Sequence, residues 1–228
     1  LRDSDADSSL PDKIALLEIH GDHFHEEQVF DTPCPALHGS FQNDSHIAFA
    51  CDDGILAIEQ QGDIFTTHKI DNPVSMPEGV RIGSLKGSAE SPIMIGTARG
   101  SLYLVDLSTE SISPFDWQPD ENTTSVNVSF DGHNEHMLIL DNTGQLNVFS
   151  AESDWQLEER IAIFDNLAED AAPTIVASKS EEVIYIIHDQ EVTTVDLHEG
   201  EITGHFDIDF TPAKAAWLGV AVEEDHGH

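Results

Sequence analysis

Short runs of apolar and β-branched residues recur along the chain in pairs, and a turn divides the two runs of each pair. The four pairs read HIAFACDDGILAIEQ, SPIMIGTARGSLYLVDL, EHMLILDNTGQLNVFSA and EVIYIIHDQEVTTVDLH. In the first three, Asp-Gly, Arg-Gly and Thr-Gly supply a residue that tolerates positive φ. The pattern therefore predicts four antiparallel β-hairpins.

The hairpins repeat at a regular spacing. Their turn residues Gly54, Gly100, Gly144 and Gln190 are separated by 46, 44 and 46 residues, and a four-stranded propeller blade needs about 40–50 residues. An inner strand precedes each hairpin, an outer strand follows it, and no segment has a convincing helical pattern. We predict an all-β fold, a β-propeller with about four four-stranded blades within residues 13–222.

The flanking segments extend this pattern. Residues 13–33 predict the last two strands of a preceding blade, and residues 213–222 predict one further strand. Residues 1–12 are an acidic polar lead-in, and residues 223–228 form an acidic tail with two histidines. Because a half ring would expose unpaired strand edges, we expect these blades to belong to a larger, seven-bladed ring.

The charge balance narrows the range of partners. Asp and Glu number 44 against 9 Lys and Arg, which gives a formal net charge of −35. Phosphate binding needs clustered Lys and Arg, so nucleic acid and an anionic membrane surface are excluded as partners. A metal cation or a basic protein patch fits better, and adaptation of the surface for solubility is the alternative explanation.

Cys34 and Cys51 are the only cysteines, and a turn-like NDS segment lies between them. In an exported protein this arrangement predicts one disulfide; in a cytosolic protein the two would be reduced and buried. Motifs for nucleophilic, phosphate-binding or zinc-protease catalysis are absent from the sequence. We therefore expect a protein that is not an enzyme.

Histidine is the one abundant residue with metal-binding chemistry. The segment from His20 to Glu27 holds His20, Asp22, His23 and His25, and in an extended chain His23 and His25 point to the same face. Zinc accepts imidazole nitrogen and carboxylate oxygen, so these four residues are candidate zinc ligands. The alternative is a solvated hairpin whose histidines have no function.

His38 is a further candidate ligand. It lies in the run CPALHGSF, at the start of a predicted innermost strand, where ligands from several blades converge. The adjacent Gly39 allows a close backbone approach. A lone histidine is, however, more often structural, and His226 and His228 in the tail form a weaker candidate group.

The runs CPALHGSF, IAFACDDGILAIE and NPVSMPEGVRIGSLKGS resemble the AztD-type periplasmic zinc metallochaperones over about residues 13–107. The resemblance implies a seven-bladed propeller, a periplasmic location, Zn²⁺ as the bound ion and its delivery to the solute-binding protein of a zinc ABC importer. It also matches His38 to the histidine of the family's C-P-x-L-H-G segment, and Cys34 and Cys51 to its cysteine pair. It assigns no role to His20, His23 or His25.

Two other classes of function remain open from the sequence. A propeller can act as a protein-interaction scaffold without metal, and its histidines would then be incidental. A propeller enzyme such as a lactonase or quinoprotein would need several inward-facing acids or a cofactor motif.

Overall fold

The computed structural model describes residue 1, residues 9–165 and residues 167–218. The chain divides into two compact units, Leu1–Asp116 and Trp117–His228. Within the described ranges, the regular secondary structure consists of eighteen β-strands. No helix long and apolar enough to cross a membrane is found among these residues.

The first unit holds a two-stranded hairpin and two four-stranded antiparallel sheets. The hairpin, here called the histidine hairpin, consists of β1 (Ala15–His20) and β2 (His23–Val29). The first blade contains β3 (Ser40–Gln42), β4 (His46–Cys51), β5 (Gly54–Gln61) and β6 (Ile64–Asp71), and the second contains β7 (Ser84–Gly87), β8 (Ile93–Ala98), β9 (Ser101–Asp106) and β10 (Ser111–Pro114).

The second unit holds two further blades. The third contains β11 (Ser125–Phe130), β12 (His136–Asp141), β13 (Gln145–Ser150) and β14 (Gln156–Ala162), and the fourth contains β15 (Thr174–Ala177), β16 (Val183–His188), β17 (Glu191–Asp196) and β18 (Glu201–Asp207). In all four blades, sequential strands are hydrogen-bonded neighbours. Four meandering four-stranded sheets confirm the predicted all-β, propeller-type fold.

The middle strands of the blades are buried because both of their faces carry apolar side chains. In β12 every residue after His136 is buried, whereas most residues of the outer strand β14 are exposed. In the first unit, Ile55, Met94 and Val105 belong to one apolar cluster that joins the first and second blades. Strands buried on both faces need continuous apolar runs. Because every blade contains such runs, the repeats can be recognised from the sequence.

The turns follow the predicted chemistry in three blades. Gly54, Gly100 and Gly144 all have positive φ, at 149°, 88° and 86°. In the fourth blade the positive φ, 53°, falls on Asp189 rather than on the marker residue Gln190. Asp tolerates this region better than most residues because its short polar side chain can bond locally.

The predicted strand at residues 213–222 is wrong in its described part. Residues 213–218 form no strand. Instead, the indole of Trp217 stacks on the ring of Tyr185, with centroids 6.2 Å apart, so this apolar segment packs by side-chain contact rather than by strand pairing. Residues 219–222 and the tail 223–228 lie outside the described residues.

The histidine hairpin is fixed to the first blade at its base. Ile14 and Phe30, which flank its two strands, are buried in one cluster with Leu56 and with Cys34 and Cys51. The two cysteines form the predicted disulfide, with a Cα–Cα distance of 4.9 Å. This bridge ties the segment after the hairpin to the end of β4, so the hairpin projects from a rigid support.

Removal of the disulfide is expected to destabilise the protein. The bridge closes a segment with a sequence separation of 17, and constraint of the unfolded chain by a loop of this length contributes about 3 kcal/mol. The double variant C34A/C51A should therefore lose about 3 kcal/mol of unfolding free energy in urea titrations. Addition of reductant should lower the stability of the wild type and leave the double variant unchanged. Equal stabilities with and without the bridge would contradict this role.

Candidate metal centre

The pairing register of the histidine hairpin places its imidazoles on one face. His20 pairs with His23, and Glu18 pairs with His25. Residues directly opposite in an antiparallel pair project to the same side of the sheet. His23 and His25 therefore share a face, as predicted, and the pairing brings His20 and Glu18 to that same face.

A β-bulge adds a second carboxylate. The register shifts between Leu16, which pairs with Gln28, and Leu17, which pairs with Glu26. The intervening Glu27 is left without a cross-strand partner, and its Oε1 lies 2.8 Å from Nδ1 of His25. A bulge re-aims a side chain in this way.

Three possible ligands converge at this point. One donor atom each from Glu18, His20 and Glu27 lies within 4.8 Å of the others. Two ligands bound to one zinc at about 2 Å each are at most about 4 Å apart, so rotation of exposed side chains can complete such a site. The whole of β2 is exposed, so these rotations meet no packed neighbours.

The imidazoles are oriented by carboxylates. His20 Nε2 lies 3.0 Å from Glu18 Oε2, and the rings of His20 and His25 meet edge to face at 5.9 Å. A neutral imidazole that donates one N–H to a carboxylate keeps a lone pair on its other nitrogen. That lone pair is available to a metal ion, because neutral imidazole binds metals through an unprotonated ring nitrogen.

The remaining predicted hairpin ligands lie at the edge of this group. Asp22 is in the turn, fully exposed, and its nearest described partner is His23, at 3.3 Å. The His23 ring stacks on that of His20 at 6.3 Å. The prediction did not include Glu18 and Glu27 as ligands. Strand alternation around the Gly21-Asp22 turn is enough to place Glu18 on the face of the histidines. The position of Glu27 depends on the bulge, which the sequence pattern does not reveal.

His38 lies in a different environment. It precedes β3 by two residues, and its Nδ1 donates to the carbonyl of Gly83 at 3.0 Å. It lines an open pocket of about 230 Å³ together with Gly79, Arg81, Gly83, Thr97 and Arg99. His38 is the one metal-ligating residue type in this lining, and the two guanidinium groups disfavour a cation. Its role as a zinc ligand stays a prediction.

A second histidine–carboxylate group lies in the third blade. His136 is largely buried between two carboxylates: its Nδ1 is 3.2 Å from Asp131 and its Nε2 is 3.3 Å from Glu158. The hydrogen bond to Asp131 is the main cause that raises the pKa of His136 above its usual value. Asp131, Glu135 and His136 could together offer metal ligands. However, Asp131 Oδ1 already accepts hydrogen bonds from the backbone N–H groups of Glu135 and His136, so this carboxylate has a structural role.

The raised pKa of His136 makes a prediction about stability and pH. A group whose pKa is raised by folding stabilises the protein fully below its unfolded pKa, about 6.5, and that contribution is lost as pH rises through the folded pKa. The stability difference between wild type and His136→Gln, measured by urea unfolding, should therefore be largest in mild acid and shrink in mild alkali. His133→Gln, which alters an exposed neighbour, should show no such trend. A difference that grows with pH would contradict this account.

The comparisons with known proteins bear on the fold. No family model matches the chain, and no curated protein matches it. Two solved structures of AztD from Citrobacter koseri are similar. The apo structure is 20% identical, with a TM-score of 0.69 over 80% of this chain and 50% of that one. The other AztD crystal structure is 18% identical, with a TM-score of 0.73 over 92% and 56%.

This chain spans about half the length of the AztD chains that it matches. The resemblance to AztD, inferred above from sequence motifs, is confirmed at the level of fold. The chain therefore has the β-propeller-type fold of AztD.

Proposed function

We propose that this protein is a periplasmic zinc metallochaperone, which binds Zn²⁺ on the histidine hairpin and delivers it to the solute-binding protein of a zinc ABC importer without catalysing a reaction. The observation that carries the proposal is the convergence of Glu18, His20 and Glu27, with His25 held against Glu27, on one exposed strand face. The AztD fold supports the choice of function.

The donor set suits zinc. Imidazole nitrogen and carboxylate oxygen are borderline and hard ligands that zinc binds in tetrahedral sites. His20, Glu18 and Glu27 supply three donors, and His25 supplies a fourth after a change of rotamer. Ca²⁺ and Mg²⁺ prefer six or more oxygen ligands, which this imidazole-rich face does not offer.

Exposure of the site suits transfer. A structural zinc site is closed and holds its ion permanently, whereas the hairpin ligands lie on a projecting arm that a partner can reach. An incoming ligand can then replace the hairpin ligands one at a time, so zinc never needs to pass through water. The net charge of −35 also raises the local concentration of cations and of basic partner surfaces.

The disulfide supports an exported location. Cys34 and Cys51 are bridged, and disulfides persist in the periplasm and other oxidising compartments but are rare in the cytosol. A protein that delivers zinc to the solute-binding protein of an importer must be in the same compartment, the periplasm.

A protein-interaction scaffold is the second candidate, and one observation favours it. On the opposite face of the histidine hairpin, Leu17, Ile19 and Phe24 are 50%, 70% and 69% exposed. Exposed apolar patches of this kind often mark protein contacts. A metal-free scaffold and a chaperone differ in whether the purified protein takes up zinc.

Zinc titration of the metal-free protein tests the proposal. We expect one zinc per chain, and a dissociation constant raised about tenfold or more by His20→Ala or by His25→Ala, because each removes an imidazole from the group. His198→Ala removes another exposed histidine, in the other unit, and serves as the control, while His38→Ala asks whether that residue adds a ligand. Absence of zinc uptake by the wild type would remove the chaperone proposal and favour the scaffold.

Delivery is tested by competition. Zinc-loaded protein should transfer its ion to the metal-free solute-binding protein faster than it loses zinc to an equal concentration of a chelator of matched affinity. The physical reason is direct ligand exchange, which avoids the slow escape of free zinc. Equal rates to chelator and to solute-binding protein would show release into solution and contradict delivery by contact.

A further inference from the structure

A pocket between the first and second blades gathers positive charge in a strongly acidic chain. Its lining includes His38 before β3, Arg81 before β7 and Arg99 in the turn between β8 and β9. The chain has only 9 Lys and Arg among 228 residues, and Arg81 and Arg99 bring two of them to this one opening. We propose that this pocket binds a carboxylate anion.

Both guanidinium groups retain free hydrogen-bonding capacity. Among the described residues, Arg81 donates through Nη1 alone, to the carbonyl of Ala36 at 2.9 Å and to Asp52 at 3.2 Å. Arg99 donates through Nη2 to the carbonyl of Gly79 at 3.3 Å. Each guanidinium carries five N–H donors in a planar fork, so most of these donors remain available to a ligand.

The two arginines differ in how far their charge is neutralised. Asp52 pairs with Arg81, although the carboxylate itself is 63% exposed. In the part of the chain that the structure describes, no carboxylate forms an ion pair with Arg99. Arg99 therefore supplies the uncompensated positive charge of the pocket, and a bound anion would complete the pairing that the protein itself does not make.

The position of Arg99 is held at a conformational cost. It has a φ of 48° in a two-residue turn with Gly100, where Asn, Asp or Gly is usual. This left-handed region is unfavourable for a residue with a β-carbon, because the β-carbon approaches the following carbonyl oxygen. The equivalent turn of the first blade, between β4 and β5, is formed by Asp52 and Asp53. Strained residues concentrate at ligand sites, and Arg99 is an exposed residue that lines this pocket.

The geometry favours a small planar oxyanion. Arginine forks match carboxylates through two parallel N–H···O bonds, and a volume of about 230 Å³ is below that of pockets for drug-sized ligands. This site is separate from the zinc site proposed on the histidine hairpin, because it shares no residue with the hairpin. The carboxylate can come from a free small acid or from an Asp or Glu side chain of another protein.

Calorimetric titration of the metal-free full chain with succinate, at low ionic strength, tests the site. We expect saturable binding to one site per chain and a dissociation constant raised at least about tenfold by Arg99→Asn, since a charge-assisted pair is lost. Asn is chosen because it tolerates positive φ, so the turn is retained. Lys179→Gln removes one exposed cation from the second unit and should leave binding unchanged.

A second titration identifies the source of the carboxylate. A short neutral-capped peptide with two adjacent Glu residues replaces succinate; tighter binding of succinate identifies a free acid, and tighter binding of the peptide identifies a protein side chain. Either result supports the site if Arg99→Asn raises the dissociation constant of that probe at least about tenfold. Saturation by neither probe, or equal weakening by Arg99→Asn and Lys179→Gln, would overturn the proposal.

Discussion

The cross-strand register of the histidine hairpin is the constraint on which the candidate metal centre depends. It sets His20 opposite His23 and Glu18 opposite His25, and a slip by one residue would send the side chains of one strand to the other face. The register is held by the two-residue turn at one end and by the packing of Ile14 and Phe30 beside the disulfide at the other. The apolar base thus fixes the geometry of a polar tip.

The distribution of charge separates two kinds of site. Carboxylates and imidazoles dominate the hairpin, whereas guanidinium groups dominate the pocket that holds His38. The proposed cation site and the proposed anion site therefore use different residues of the first unit. The chemistry available to a histidine depends on its neighbours, as His38 illustrates. Its Nδ1 donates to a backbone carbonyl, and the arginines in the same pocket disfavour the cation that the sequence motif suggests.

Much of the fold is predictable from the sequence because its signals are local. Apolar runs of strand length and glycine turns at a constant spacing define the blades, and both strands of the histidine hairpin follow from alternation. The segment around Trp217 was misread as a strand because an apolar run does not specify whether it pairs or packs. Its ring stacks on Tyr185, a contact between residues far apart in the sequence.

The candidate metal centre was predictable only in part, because only some of its geometry follows from local sequence pattern. His23 and His25 share a face through the two-residue period of a strand, which needs no tertiary information. Glu27 joins them through a bulge that pattern alone does not place. The surroundings of His136 depend on Glu158 from another strand of the blade, and the meeting of Arg81 with Arg99 depends on the path of the loops around β7 and β8. Long-range neighbours, rather than residue types, were the missing information.

The proposed function requires that the imidazoles of the histidine hairpin bind zinc directly. Histidine side-chain ¹⁵N NMR spectra of the full chain, recorded before and after one equivalent of zinc, test it most directly. We expect the ¹⁵N chemical shifts of the His20 and His25 ring nitrogens to change, while those of His198 and His205 stay the same. Unchanged hairpin signals, with the added zinc bound elsewhere or left free in solution, would contradict it.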